Sequence, residues 1–375
     1  MIDLRRILFL AIFLVSLPAA AHKPSDSYLA LRIDGATVDV QWDIALRDLE
    51  YAVGIDTDGD GAITWAELRA RHDAISAYAL ARLTISADGE RCASTAAGHQ
   101  VDRHSDGTYA VLRFSALCPK DARSLAATYA LFFELDPLHR GLARLEERGA
   151  TRSLVFSPAQ PTQPLAVSES SPLLQIVQFA REGVFHIWAG FDHVLFLLSL
   201  LLPAVLRREA GRWVPLPGFS QALWKTLAIV TAFTLAHSLT LTLASLELVA
   251  LPSRWVESAI AASVIAAALN NVVPVLERRL WMVAFLFGLI HGFGFASVLR
   301  DLGLPREGLV LALASFNLGV EAGQLALVAA LMPLAFALRQ TWLYRRLALS
   351  AGSLLIVAVA CVWLFERAFE LRLFS

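Results

Sequence analysis

The sequence predicts an α-helical polytopic membrane bundle of about six spans, preceded by a β-rich α+β domain that contains one acidic loop. Three observations predict this fold class. Hydrophobic residues make up 57% of the 375 residues, which is more than an ordinary soluble protein contains. From Val184 onward, long apolar blocks alternate with short charged loops, whereas residues 22–156 have the mixed composition of a soluble domain. Residues 56–67 carry regularly spaced acidic residues and glycines.

Residues 1–21 have the pattern of a secretory signal peptide. Arg5 and Arg6 precede an apolar run over residues 7–17, and three alanines at 19–21 form a small-residue cleavage site. Cleavage there leaves His22 at the mature N-terminus and places residues 22–156 outside the cytoplasmic membrane.

The exported domain is predicted to be rich in β-strands. Alternating apolar and polar residues from Ser27 to Ala45, around the turn Asp34-Gly35, predict a β-hairpin. Cys92 and Cys118 would share an oxidising compartment, which favours a disulfide between them. Helices are expected over residues 46–55 and 65–80, and further strands over residues 83–85, 109–114, 127–135 and 153–156.

Residues 56–67 fit the EF-hand calcium loop at every diagnostic place. The loop has glycine at position six, an apolar residue at position eight and glutamate at position twelve. An acidic surface turn alone would not require these three residues together. A single loop of this kind outside the cytoplasm is expected to stabilise structure rather than to sense signals. The expected calcium ligands are Asp56, Asp58, Asp60, the carbonyl of Ala62, Thr64 and Glu67.

A linker rich in Pro, Ser and Gln is predicted over residues 157–183, and the membrane bundle over residues 184–375. Arg and Lys are more frequent in the loops predicted to face inward, so the chain is expected in a bacterial-type inner membrane with its N-terminal domain extracytoplasmic. The net charge of −1 argues against a nucleic-acid partner and leaves membrane lipid and a metal ion as the expected partners, with any extracytoplasmic protein partner unknown. The predicted spans are residues 184–206, 224–247, 255–276, 280–299, 308–337 and 345–366.

Several of these spans carry ionisable residues, which are costly in lipid and usually mark a site or a pathway. Because an α-helix rises about 1.5 Å per residue, the ionisable residues of four spans are expected to lie at similar depths in the membrane. A chain of helix–helix hydrogen bonds is the simpler explanation for the Thr, Ser and Asn residues, but it explains the histidines and carboxylates poorly. The predicted metal-site residues are His186, Asp192, His193, His237, His291 and Glu321.

Imidazole and carboxylate ligands suit nickel, cobalt, zinc or iron, and soft thiolate ligands are absent from this set. Asp192 or Glu321 would either bind the ion or hold a histidine in the required tautomer.

The pattern His186-x5-Asp192-His193 and the segment 287–294 resemble the HupE/UreJ family of membrane proteins over residues 172–370. This resemblance implies nickel or cobalt permeation linked to hydrogenase and urease maturation, with His186, Asp192 and His193 in the metal pathway. His291 matches the histidine of the second family motif, but the second nearby histidine expected there is absent.

Two functions of different classes remain open at this stage. In the first, the bundle is a metal permease, and multiple weak sites let the ion move on. In the second, a bound ion activates water in an intramembrane metal-dependent hydrolase, with Ser238, Asp192 or Glu321 as catalytic candidates. The resemblance favours transport, so an enzyme is the less expected class. A membrane-anchored receptor or scaffold is the third alternative.

Overall fold

The computed structural model describes residues 26–104, 107–120, 122–165, 172–209, 212–276, 279–295 and 306–369. The predicted signal peptide and His22 lie outside these residues. We call residues 26–165 the β domain. Its strands are β1 (Asp26–Asp34), β2 (Thr37–Ala45), β3 (Leu83–Ala87), β4 (Glu90–Arg91), β5 (Ala93–His104), β6 (Gly107–Leu117), β7 (Leu125–Tyr129), β8 (Arg140–Glu147), β9 (Ala150–Phe156) and β10 (Thr162–Pro164).

Two sheets form the β domain. The larger has the strand order β5-β6-β2-β1-β8-β9, in which β1 and β8 are parallel, and the smaller has the order β10-β7-β3-β4. The predicted hairpin is present as β1 and β2, and Gly35 adopts the positive φ of 60° that its turn requires. The disulfide joins Cys92 with Cys118, as favoured from the sequence.

Three short helices pack on these sheets: α1 (Leu46–Val53), α2 (Trp65–Ala70) and α3 (His72–Leu80). The helix predicted over residues 65–80 is therefore interrupted at Arg71. One apolar core unites the helices with both sheets, because Leu49, Leu68 and Ile75 are buried in the same cluster as Trp42. The acidic loop lies between α1 and α2, as expected.

The second half of the chain is helical. The predicted linker over residues 157–183 includes β10 and the first part of a helix that begins at Pro172. The helices are α4 (Pro172–Ala189), α5 (Phe191–Leu201), α6 (Phe219–Ser245), α7 (Ser253–Val272), α8 (Leu280–His291), α9 (Arg306–Leu338) and α10 (Gly352–Phe369), with the hairpin β11 (Leu206–Glu209) and β12 (Arg212–Pro215), a 3-10 turn (Gly292–Gly294) and a π-helical segment (Tyr344–Ala351).

Four helical segments of the described chain are long and apolar enough to cross a membrane, and the number rises to five if α4 and α5 count as one bent span. The six predicted spans are thus not confirmed. The fourth, over residues 280–299, is represented by the 12 residues of α8 and the short turn after it. Such a helix is about 18 Å long, shorter than the ~30 Å hydrocarbon layer.

The helices pack in pairs with defined directions. Gly319 of α9 lies against Ala180 of α4, and Gly323 lies against Val184, so α4 and α9 run parallel. Gly288 lies against Phe233 and Gly292 against His237, so α6 and α8 also run parallel. By contrast, α7 and α10 are antiparallel, since Asn271 near the end of α7 bonds to Ser353 near the start of α10. These directions agree with helices that cross the membrane alternately.

The β domain rests on one end of the bundle. Arg140 forms an ion pair with Glu182 of α4 at 3.3 Å, and its guanidinium lies over the ring of Phe185. The side chain of Gln178 donates to the carbonyl of Val155 at 3.2 Å. We call this the β-domain end of the bundle.

Gly319→Ala tests the close packing of α4 and α9. A Cβ at Gly319 would lie 1.9 Å from the carbonyl oxygen of Ala180, so the helices must separate. We expect a loss of roughly 1–3 kcal/mol of stability, measured as a lower Tm of the protein in nanodiscs. Gly308→Ala in the same helix is the control, because nothing lies within 4 Å of its Cβ position. Equal Tm values for the two variants would contradict this packing.

Candidate metal centre

A bend at Gly190 builds the first part of the site. Helices α4 and α5 meet there at an angle of 70°. A Cβ at this position would lie 2.7 Å from the carbonyl oxygen of His186 and 2.8 Å from Nδ1 of His193, so only glycine fits. The bend brings His186, in the last turn of α4, beside His193, in the first turn of α5, with ring centroids 4.6 Å apart.

Asp192 orients the second of these rings. Its Oδ1 accepts from the backbone N–H of His193 at 2.9 Å and lies 3.0 Å from Nδ1 of the same residue. A carboxylate in the first turn of a helix is also favoured by the helix dipole. The proton therefore belongs on Nδ1, which leaves Nε2 of His193 with its lone pair available for a metal ion.

His237 of α6 is the third member of the group. One ligand atom from each of His186, His193 and His237 lies within 4.8 Å of the others. Nitrogen ligands of a tetrahedral ion with bonds of 2.0–2.1 Å lie about 3.4 Å apart, so small side-chain rotations bring these atoms to bonding distance.

The imidazole nitrogens at this point are buried without hydrogen-bond partners among the described residues. They include Nε2 of His186, Nε2 of His193 and a ring nitrogen of His237, whose ring also interacts with the amide of Asn317. An unsatisfied buried polar atom costs about 1–3 kcal/mol, and native structures contain few of them. Several in one place are typical of a metal-binding site, and the chemistry of these nitrogen atoms suits a divalent transition metal.

Gly292, which follows the last residue of α8, allows the close approach behind His237. A Cβ at Gly292 would lie 2.1 Å from Oγ1 of Thr240 and 2.4 Å from the carbonyl oxygen of His237. His291, just before this glycine, has its ring centroid 5.1 Å from that of His193. Its Nε2 is bonded to Oγ of Ser263 at 2.9 Å, whereas its Nδ1 has no partner among the described residues.

Of the predicted residues, the structure therefore brings three histidines together, with Asp192 bonded to one of them and His291 beside them. Sequence reasoning did not single out Ser263, because a serine in an apolar helix carries no distinguishing signal.

Glu321 does not join the three histidines. Its described contact is with the hydroxyl of Thr231 at 3.4 Å, on a partly exposed face of α9. The expectation that Glu321 is a metal ligand is therefore not supported by its position. Ser238 follows His237 on α6, and adjacent helical residues do not share a face.

Phenylalanines close the space around the histidines. The ring of Phe295 lies 4.7 Å from that of His186 and stacks on Phe316 at 4.5 Å. Phe316 in turn lies 5.4 Å from His186, and Phe233 lies 6.0 Å from His237. These walls keep water from the imidazole nitrogens and strengthen electrostatic interactions within the site.

A buried polar pair lies next to the site. Oγ1 of Thr234 donates to Oε1 of Gln324 at 2.8 Å, and both residues are buried. Thr234 lies one turn from His237 along α6, on the side away from the β domain. Asn317, one helical turn before Glu321 on α9 and therefore nearer the β domain, interacts through its side chain with His237. The pair Thr234–Gln324 thus continues the polar groups from the histidines toward the opposite end of the bundle.

The acidic loop forms a second candidate site, in the β domain. Asp56, Asp58 and Glu67 each offer an oxygen within 4.8 Å of the other two. Asp60 instead accepts from the N–H of Ala62 at 2.8 Å. Gly59 and Gly61 have positive φ values of 73° and 81°, and the N–H groups of both donate to Asp56.

Glu67 is held as an ionised acceptor. The hydroxyl of Thr64 donates to its Oε2 at 2.7 Å, and the N–H groups of Thr64 and Thr57 donate to the same carboxylate. These hydrogen bonds lower the pKa of Glu67 to about 2. For Asp58, the bond from the N–H of Asp60 lowers the pKa, but the charges of Asp60 and Glu67, with partial desolvation, raise it above the ordinary value. Carboxylates that repel one another in this way are stabilised by a cation.

A sequence model of the HupE/UreJ protein family matches residues 162–367, which is more than half of the chain. The chain belongs to the HupE/UreJ family. The HupE/UreJ match extends from β10 into α10 and includes the three grouped histidines, whereas β1 to β9 precede it. Together with its apolar helices, membership identifies a multi-pass membrane protein. No curated protein matches the chain significantly.

Proposed function

We propose that this protein binds a divalent transition-metal ion of the nickel or cobalt type at His186, His193 and His237, and that it is a metal permease or a component of metal uptake. The observation that carries this proposal is the convergence of buried imidazole nitrogens without hydrogen-bond partners. HupE/UreJ membership links the chain to nickel and cobalt handling and supports the same class of ion.

The helix ends around the site favour a cation. His186 lies in the last turn of α4, and His291 ends α8. Helix C-termini carry partial negative charge on their free carbonyl groups, and transporters use interrupted helices in this way to bind cations. The bend at Gly190 and the short α8 both place such an end at the histidines. The N-terminus of α5 also meets the site at this bend, and the carboxylate of Asp192 in its first turn offsets the partial positive charge there.

Transport is favoured over hydrolysis by the groups around the histidines. The buried pair Thr234–Gln324 extends the polar groups beyond the histidines, toward the end opposite the β domain. Neither Ser238 nor Glu321 supports the role that a hydrolase would give it, since Ser238 lies off the face of His237 and Glu321 contacts Thr231. An intramembrane metal-dependent hydrolase is the second candidate, because three histidines with one open position also suit a catalytic ion.

The expected orientation places the β domain outside the cytoplasmic membrane. Exposed tryptophans lie near helix ends at both ends of the bundle, as in the aromatic belts of membrane proteins. Trp224, Trp281 and Trp342 lie toward the end opposite the β domain, together with the arginines at positions 207, 208, 212, 279, 339, 345 and 346. This end fits the cytoplasmic side by the positive-inside rule.

His193→Ala tests the proposed ion site. The variant should lose one nickel ion per chain and nickel uptake into proteoliposomes, because one of three imidazole ligands is removed. Asp192→Asn should lower nickel affinity about 10- to 100-fold, because the amide no longer holds His193 in its tautomer. Metal content by mass spectrometry and uptake of radioactive nickel measure these effects.

Glu321→Gln is the matched control within the membrane, and we expect it to leave metal content unchanged. Unchanged metal content in His193→Ala would reject the ion site. Intact binding without uptake, in wild-type protein reconstituted alone, would reject a permease that acts without partners.

We also propose that the acidic loop binds calcium through Asp56, Asp58, Asp60, the carbonyl of Ala62, Thr64 and Glu67, and that this ion stabilises the β domain. The carboxylates grouped by the loop and the positive φ of Gly61 support the proposal. In the structure, Thr64 and Glu67 form a helix-capping pair at the start of α2. Calcium binding would turn the carboxylate of Glu67 from Thr57 toward the ion.

Removing calcium with a chelator should lower the Tm of the wild-type protein in nanodiscs, because the repulsion among the loop carboxylates is then uncompensated. In Glu67→Gln the chelator should change the Tm little, since the twelfth ligand is already lost. Glu90→Gln, at an exposed carboxylate outside the loop, should respond as the wild type does. A Tm that is independent of calcium in the wild type would disprove the site.

A further inference from the structure

A second group of metal-ligand side chains lies in the β domain, apart from the acidic loop. Asp43, Asp102 and His104 each offer one ligand atom within 4.8 Å of the other two. Asp43 lies on β2, and the other two residues lie two apart on β5, so their side chains project from the same face of that strand.

The three side chains are held in place to different degrees. Nε2 of His104 lies 3.0 Å from Oδ2 of Asp43, and these side chains are only 11% and 9% exposed. Nε2 of Gln41 donates to Oδ1 of Asp43 at 3.1 Å and fixes that carboxylate. The ring of His104 stacks on Tyr28, with centroids 4.9 Å apart. Asp102 is exposed. The group therefore has a fixed, buried side and one ligand at the solvent.

Charge argues for a bound cation. Two carboxylates that converge on one imidazole carry at least one net negative charge, even when the imidazole is protonated. A divalent ion neutralises this excess. One imidazole with two carboxylates is a common ligand set for first-row divalent metals, and it binds them less selectively than three imidazoles do.

The position of this group relates it to the histidines of the bundle. Tyr109 lies 4.2 Å from the ring of His104, and both Tyr28 and Tyr109 belong to a buried cluster against which Phe295 packs. Phe295 in turn lies 4.7 Å from the ring of His186. The cluster of Asp43, Asp102 and His104 therefore lies on the β-domain side of the bundle histidines, with a layer of aromatic rings between the two.

We propose that Asp43, Asp102 and His104 form a second transition-metal site, which receives the ion outside the membrane before it reaches the histidines of the bundle. The binding site stands on its own residues, whereas its role as the receiving site rests on the proposed uptake function. Weak carboxylate ligands that are open to solvent let the metal ion exchange rapidly with the surrounding solution. The three imidazoles of the bundle would then bind the ion more selectively.

The test is nickel binding to the full-length protein in nanodiscs, with calcium in excess to occupy the acidic loop. Wild-type protein should bind two nickel ions per chain. Asp102→Asn and His104→Gln should each lose one nickel ion or bind it with an affinity at least about tenfold lower, since each substitution removes a ligand. His193→Ala should lose the other ion, and the double variant with Asp102→Asn should bind none.

Asp39→Asn is the control, because Asp39 lies on the same strand as Asp43 but bonds to Ser115. It should bind two ions. Asp102→Asn changes an exposed side chain, so its effect is not an unfolding effect. Two ions retained in both Asp102→Asn and His104→Gln would overturn the second site. One ion lost in these variants but none in His193→Ala would reject the bundle site and leave the second site standing.

Uptake measurements test the receiving role. Asp102→Asn should raise the nickel concentration for half-maximal uptake and leave the maximal rate unchanged, because saturating nickel reaches the bundle directly. His193→Ala should abolish the maximal rate. A reduced maximal rate in Asp102→Asn, at an unchanged half-maximal concentration, would contradict the receiving role.

Discussion

Imidazole nitrogens that lack hydrogen-bond partners inside an apolar bundle impose the main constraint on this structure. Each costs about 1–3 kcal/mol when it is left unsatisfied, and such atoms occur on each of His186, His193 and His237. Among the described residues, the rings of Phe233, Phe295 and Phe316 surround the imidazoles. A metal ion would satisfy these nitrogens together. The glycines that bend one helix and let another approach are the local features that make such convergence sterically possible.

The ionisable residues of the bundle were predictable because lipid makes them expensive. His186, His193 and His237 stand out in apolar segments, and the structure groups them. The first β-hairpin and the acidic loop were predictable for a different reason, since turn chemistry and ligand spacing are local. Where a residue faces depends on how a helix is rotated against its neighbours. The structure places Glu321 beside Thr231 and outside the group of three histidines, so its expected role as a ligand stays a prediction.

Long-range pairing explains the other differences between sequence and structure. Strand β8 has a helix-favouring sequence rich in Leu, Ala, Arg and Glu, and it becomes a strand because β1 and β9 pair with both of its edges. Strand β5 is a mostly polar strand at the edge of its sheet, so it shows little hydrophobic alternation. The bend at Gly190 was also missed, because a single glycine is tolerated within a helix and does not by itself indicate a break.

The pairwise packing of the helices has a mechanical consequence. The histidines come from different pairs: His186 belongs to α4, which is locked to α9 by glycine contacts, and His237 belongs to α6, which is locked to α8. His193 stands on α5, which packs mainly on α7 and is joined to α4 through Gly190. The proposed metal site therefore lies at the boundary between closely packed helix pairs. A tilt of one pair against another would change the distances between the imidazoles without deforming any helix, and it would thereby set how long a bound ion is held.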